Sequence, residues 1–356
     1  MRRSTRRWIG CLAAAATVTT LVAPARAQAN TCRGQEATIW GTNHRDLLVG
    51  TPGDDVIAGN GDDDVIRGRG GDDVICGDDG WDDIWAGRGE DYVDGGDETD
   101  TVYGGPDADV LEVTGSDPSR YGSEWMAGGP GDDTLTGGDS PNVLYGGPGN
   151  DTLEGHGASF SDCDCETQFD EILSGGPGND ELTGGEMDGG NVGYQIFSGG
   201  PGNDVIDPNN LEIPQIQPDD YFYGSGDKLD FEQANGPVHV DLAAGVSTGE
   251  GTDSFSGIDH VEGSDHGDTI LGDGDQNYLW GGWSFGDDVL DGRGHDDVLG
   301  GGYGSDTLSG GDGNDRISGA YGDDTIDGGE GPNDDASGGP GHDSCANTEI
   351  EEACES

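Results

Sequence analysis

Positive charge is what this sequence most lacks. Lysine occurs once, at Lys228, and Lys and Arg together number 14 against 74 Asp and Glu in 356 residues. The formal net charge of −60 excludes nucleic acid as a partner, because a polyanion is repelled over the whole surface. Apolar residues are scarce as well, at 30% with 7% aromatic, where ordinary globular domains carry about 45–50%. A single close-packed core is therefore excluded. No segment is long and apolar enough for a separate catalytic domain, and none of the seven histidines forms the His-Glu-x-x-His of a zinc protease. Two readings survive: a disordered acidic polymer, or a repeat protein whose charge is neutralised by bound cations.

The first 29 residues read as an export signal. Arg2, Arg3, Arg6 and Arg7 precede the apolar run Ile9–Ala23, which is too short and too rich in Ala and Thr for a membrane span. Two small-residue cleavage patterns follow, Ala25-Arg26-Ala27 and Ala27-Gln28-Ala29. Thr5-Arg6-Arg7-Trp8-Ile9 resembles a twin-arginine signal, with an ordinary basic n-region as the open alternative. Removing this peptide takes away five Arg and no acid, so the charge falls from −60 to −65. The expectation is a secreted, extracellular chain in a calcium-rich medium, with six cysteines in an oxidising compartment.

Glycine is what the chain has in excess, 72 residues, and it is periodic. From Gly41 the sequence divides into eight consecutive nonapeptides, GTNHRDLLV through GGPDADVLE. Their sixth positions are Asp46, Asp55, Asp64, Asp73, Asp82, Asp91, Asp100 and Asp109, and their eighth positions are all aliphatic, Leu48 through Leu111. The pattern returns with Asp133, Asp151, Asp180 and Asp204, then with Asp268, Asp288, Asp297, Asp306, Asp315, Asp324 and Asp343. Longer units occur at 281–291 and 328–337. Asn142 and Asn277 stand where the Asp is expected, and should hold a cation less tightly. A disordered polyacid has no need of such a register, so order wins.

The pattern G-G-x-G-x-D-x-U-x resembles the hemolysin-type calcium-binding nonapeptide family, the RTX repeats, over most of 41–112 and 263–346 and in scattered units between. The resemblance implies an all-β fold, a right-handed parallel β-roll in which two repeats make one coil. It also implies several Ca²⁺ ions between stacked turns, held by the position-six carboxylates and by carbonyl oxygens of the Gly-rich turn. Hard oxygen donors suit Ca²⁺ far better than Zn²⁺. Glycines at positions one, two and four are read as supplying positive φ. The first block would enclose roughly six sites and the second roughly seven. Only one residue in nine is inward and aliphatic, against about 1–2 kcal/mol of backbone entropy per residue, so cation binding is expected to drive folding.

The register also assigns the outward faces. One carries Val56, Val74, Tyr92 and Val110, with Cys76; the other carries Arg67, Trp85 and Tyr103 in successive coils. A Cys32–Cys76 disulfide would lay the segment before the first repeat over the exposed valine row. Cys345–Cys354 would close the C-terminal end and leave Cys163 and Cys165 to each other, although six cysteines formally allow fifteen connectivities. The aromatic row reads as a cross-strand ladder with a cation–π contact before it reads as a polymer-binding strip.

The organisation expected is a signal peptide (1–29), an N-terminal cap (30–40), a first repeat block (41–112), interrupted repeats with loop insertions (113–207), a strand-rich linker (208–262), a second block (263–346) and an acidic tail (347–356). Loops fall at 113–127, 155–174 and 184–198. Pro208, Pro214 and Pro218 suggest a break, hence two rolls, with one continuous solenoid as the alternative; Val238, Val240 and Leu242 alternate as strand residues do. Gly282-Trp283-Ser284-Phe285-Gly286 matches the hydrolase elbow, but this composition yields such a match by chance. The EF-hand spacing fails at Tyr278, where Gly is required. The reading is a secreted, non-enzymatic calcium-binding protein, of about 10⁻⁴–10⁻³ M affinity as in extracellular modules. A calcium-rigidified adhesive or structural surface protein, bound to cells or a polymer, is the alternative, and an extracellular hydrolase using Ser284 is the second.

Overall fold

A computed structural model describes residues 30–115, 123–138, 142–156, 171–185, 195–208, 227–348, 350–352 and 354. The export signal expected at 1–29 and the pairing expected of Cys163 with Cys165 lie outside these residues. Among the described residues every regular element is a strand.

The nine-residue period becomes geometry directly. Each x-U-x triplet is a strand of three residues, as at Val65–Arg67, or begins one of six, as at Val74–Asp79, and consecutive triplets fall alternately in two sheets. In the first sheet Leu48, Ile66, Ile84 and Val102 are paired partners, one coil of eighteen residues apart. In the second, Ile57, Ile75, Val93 and Leu111 stack in the same way. Side chains alternate along a strand, so the middle residue points in. Ile57, Ile66, Ile75 and Ile84 are fully buried between the sheets. The result is a parallel β-roll whose interior is a single file of aliphatic side chains from each sheet.

The first sheet has fifteen strands in unbroken parallel order, from Leu47–Val49 to Ile350–Glu352. The break expected at 208–262 is therefore absent from it. Asp227–Asp230 and Ile258–Glu262 carry the pairing across, with a register shift between Asp227 and Lys228. The second sheet crosses the same region differently. Val205–Asp207 pairs with Thr252–Phe255, which runs antiparallel to Val246–Thr248, itself antiparallel to His239–Asp241, which pairs with Thr269–Leu271. Three strands thus stand where a repeat supplies one. An odd number restores the parallel polarity, so the solenoid continues instead of dividing into two rolls. Val238 and Val240 alternate as expected and join the core, 2% and 0% exposed.

Cys32 and Cys76 are joined, with Cα atoms 5.5 Å apart. The small hairpin of Thr31–Cys32 and Gln35–Glu36 lies against the second sheet there. Tyr92 is 8% exposed beneath it, with the Arg33 guanidinium 3.9 Å above its ring and its hydroxyl donating to Glu112. Val110, one coil further on, is 38% exposed, so the cover ends between them. Cys345 and Cys354 are joined at the other end. On the first sheet Trp85 and Tyr103 stack at 5.6 Å and 4°, Trp125 and Tyr145 extend the row, and Arg67 lies 5.5 Å over Trp85. These rings spend their faces on one another, which is the behaviour of a cross-strand ladder.

Candidate metal sites

Turns alternate between the two edges of the roll. Those leading into the first sheet form one edge and those leading into the second form the other. At each turn the position-six side chain folds inward, and its Oδ1 accepts the backbone N–H of the position-six residue one coil before. On the second-sheet edge this ladder runs from Asp55 through Asp73, Asp91, Asp109, Asp133, Asp151 and Asp180 to Asp204 at 2.7–2.8 Å. The insertions lengthen the sequence step from 18 to 24 or 29 residues without breaking it. It ends at Asp253, 3.2 Å from the Asp204 N–H. It resumes where the Val238 N–H meets Asp268 and passes through Asp288, Asp306 and Asp324 to Asp343. On the first-sheet edge Asp46, Asp64, Asp82 and Asp100 form one run and Asn277, Asp297, Asp315 and Asp334 another.

The second carboxylate oxygen is the informative atom. In fifteen of these aspartates among the described residues, Oδ2 is buried and meets no donor. All belong to the positions named from sequence: Asp64, Asp73, Asp82, Asp91, Asp100, Asp109, Asp133, Asp151, Asp180, Asp204, Asp297, Asp306, Asp315, Asp324 and Asp343. Asp334 takes the same place in the first-sheet ladder, hidden in sequence by the lengthened unit 328–337. A buried polar oxygen without a partner costs about 1–3 kcal/mol, and more when charged. One such atom is an anomaly; a file of them in one register calls for a positive partner.

Four of the named aspartates differ: Asp46, Asp55, Asp268 and Asp288. The Thr42 N–H and hydroxyl donate to Asp46 Oδ2 at 2.6 and 2.9 Å, the Thr51 N–H to Asp55 Oδ2 at 2.6 Å, and the Ser264 N–H and hydroxyl to Asp268 Oδ2 at 2.6 and 3.0 Å. A hydroxyl residue at position two thus closes these turns with the chain's own donors, at the start of each block. Asp288 accepts the Asp268 N–H at 2.7 Å.

Position-one glycine is explained by space and not by φ. Positive φ falls at positions two and four, as at Gly96 (+112°) and Gly80 (+131°), and there Asn60, Asp62 and Arg69 adopt it too. A Cβ on Gly59, by contrast, would lie 2.8 Å from Asp64 Oδ2 and under 3.0 Å from the Gly77 carbonyl oxygen of the next coil. Carboxylate and carbonyl oxygens from two coils converge beside that Cα, and a side chain would fill the gap. Ala86 is the one residue larger than glycine in this place within 41–112. Gly77→Val should cost about 1–3 kcal/mol by overpacking, measured as thermal unfolding of the calcium-loaded protein; an unchanged midpoint would refute the cradle.

Burial pushes the carboxylates up from the ordinary 3.8: Asp64 to about 6, Asp82 to about 7, Asp109 and Asp297 to about 8. The carboxylates of neighbouring coils add to it. Asp100 reaches about 9, with Glu124 beside it. The ladder therefore wants a positive partner: a proton or a cation. Among the described residues no three His, Cys, Asp or Glu side chains gather on one point. Each position offers instead one carboxylate and peptide carbonyls, an all-oxygen set suited to Ca²⁺.

The model of the RTX calcium-binding nonapeptide repeat matches residues 40–75, 77–111, 121–157, 167–186, 284–302, 300–335 and 309–345, more than half of the chain. The chain belongs to the RTX calcium-binding repeat family. Comparison with curated proteins finds no match. The RTX repeats are calcium-binding repeats, and the orphaned oxygens stand at the sixth position of those repeats. Sequence reasoning missed five more side chains that the roll brings to the same place: Glu124, Glu171, Gln195, Asp227 and Asp253. Each lies two residues before a buried core residue, such as Met126, Leu173 or Phe197. That offset was the available signal once the insertions had broken the count of nine.

Proposed function

We propose that this protein is a secreted, non-enzymatic calcium-binding roll whose folding is driven by the ions it holds. The single observation that carries this reading is the file of fifteen buried, unpartnered Asp Oδ2 atoms. The ligands proposed are these fifteen carboxylates with turn carbonyl oxygens, while Asp46, Asp55 and Asp268 serve as cation-free end turns. Secretion is supported by the basic and apolar start of the chain and by the two disulfides. The hydrolase alternative loses support from its own motif. Ser284 lies between Trp283 and Phe285, 66% and 85% exposed, and no helix exists among the described residues to form the strand-to-helix elbow.

The test is an ion count. Native mass spectrometry of the chain without its first 29 residues should resolve on the order of ten or more Ca²⁺ per molecule, with Mg²⁺ failing to replace them. No bound calcium at millimolar concentration would sink the reading.

A further inference from the structure

The two edges of the roll are not equivalent. Every insertion between 113 and 227 falls in a turn leading into the first sheet, and on that edge the position-six row reads Glu124, Asn142, Glu171, Gln195. On the opposite edge of the same coils stand Asp133, Asp151, Asp180 and Asp204, all with orphaned Oδ2 atoms. Among the described residues from Glu124 to Gln195, no carboxylate oxygen on the first-sheet edge is orphaned.

Amide groups account for the difference. Asn142 Nδ2 donates to the Gly138 carbonyl at 3.2 Å and to Glu171 Oε1 at 3.3 Å. The Gly185 N–H donates to Glu171 Oε2 at 3.1 Å, so both oxygens of this buried carboxylate are satisfied. Gln195 Nε2 donates to the Gly185 carbonyl at 2.5 Å. Beside Gly137, the atom nearest the cradle is Asn142 Nδ2, where other repeats place a carboxylate oxygen. Gln195 Oε1 has no partner, but a neutral oxygen leaves no charge to compensate.

We infer that along Glu124–Gln195 the first-sheet edge holds no calcium, and that the side-chain amides of Asn142 and Gln195 replace the ion as donors to the turn oxygens. The inference rests on the calcium reading and deepens it: along these coils the metal lines the second-sheet edge, at Asp133, Asp151, Asp180 and Asp204, and not the first-sheet edge. In these coils calcium therefore acts from one side only.

Native mass spectrometry of the calcium-loaded chain tests this with three variants. Glu171→Gln should bind as many ions as wild type, whereas Asp180→Asn, on the opposite edge, should bind at least one fewer. Asn142→Asp should bind one more, because it puts a second carboxylate against Glu171 and removes the amide donor. A loss of ions in Glu171→Gln, or an unchanged count in Asn142→Asp, overturns the inference. Should Glu171→Gln fail to fold, the Asn142→Asp count decides alone. Wild type without calcium would instead sink the underlying reading, so the two failures are distinct.

Discussion

Stripped of calcium at pH 7.5, the protein should lose most of its far-UV β signal, and its radius of gyration should more than double toward about 60 Å. The reason lies in what each nonapeptide buries. One aliphatic side chain, such as Ile66 or Ile75, contributes about 1.5–3 kcal/mol. Beside it, one carboxylate such as Asp64 or Asp73 is buried with an oxygen unpaired, at a cost of the same order or greater. The two oppose each other, which leaves the aliphatic file too weak to hold the roll without the ions. With calcium the second term changes sign. A site of about 10⁻⁴ M affinity in about 2 mM calcium adds about 1.8 kcal/mol. Ten such sites outweigh the about 5–15 kcal/mol that separates an ordinary domain from unfolding. Circular dichroism and small-angle scattering across a calcium titration would show this as one cooperative transition. A stripped protein that keeps its β signal and its compact radius would show that the roll stands without the ions.

The parts of this arrangement that follow a fixed count were legible in the sequence. Asp64, Ile66 and Trp85 could be assigned to turn, core and outer face because nine residues make a half-coil and nothing interrupts 41–112. The Cys32–Cys76 link followed from the same register, since Cys76 is placed beside a valine row that needs covering. Where the count breaks, local pattern no longer determines partners. His239–Asp241, Val246–Thr248 and Thr252–Phe255 read as strands, but their antiparallel insertion into the second sheet is a matter of long-range pairing. The prolines suggested a break because they disfavour a strand locally, whereas continuity is decided by the first-sheet strands on either side. Glycines at positions one, two and four look alike in sequence; only the structure separates close approach at Gly59 from left-handed backbone at Gly80 and Gly96. Gln195 could not be placed at position six from the motif, because the residue type had changed along with the spacing.

Acid should do part of what calcium does. Position-six carboxylates such as Asp64, Asp82, Asp109 and Asp100 titrate at about 6 to 9 in the ion-free roll, above the 3.8 they have when exposed in the unfolded chain. Between those values the folded state binds more protons than the unfolded state, so stability falls as pH rises. The contribution is complete below about pH 4 and is lost as pH rises through about 6–9. Calcium-stripped protein, unfolded at pH 8, should therefore regain β structure on acidification, with a midpoint between about pH 6 and 7. General relief of a −60 charge works in the same direction, but exposed carboxylates would set that midpoint near 4, and salt would abolish it. A midpoint near 6.5 that survives about 0.5 M salt identifies the buried ladder; one near 4 that disappears in salt would mean the carboxylates are not desolvated. Proton and calcium compete for the same oxygens, so calcium uptake at pH 7 must also release protons, and its apparent affinity must weaken as pH falls from 8 to 6. Asp100, at about 9 beside Glu124, should give up its proton to calcium last.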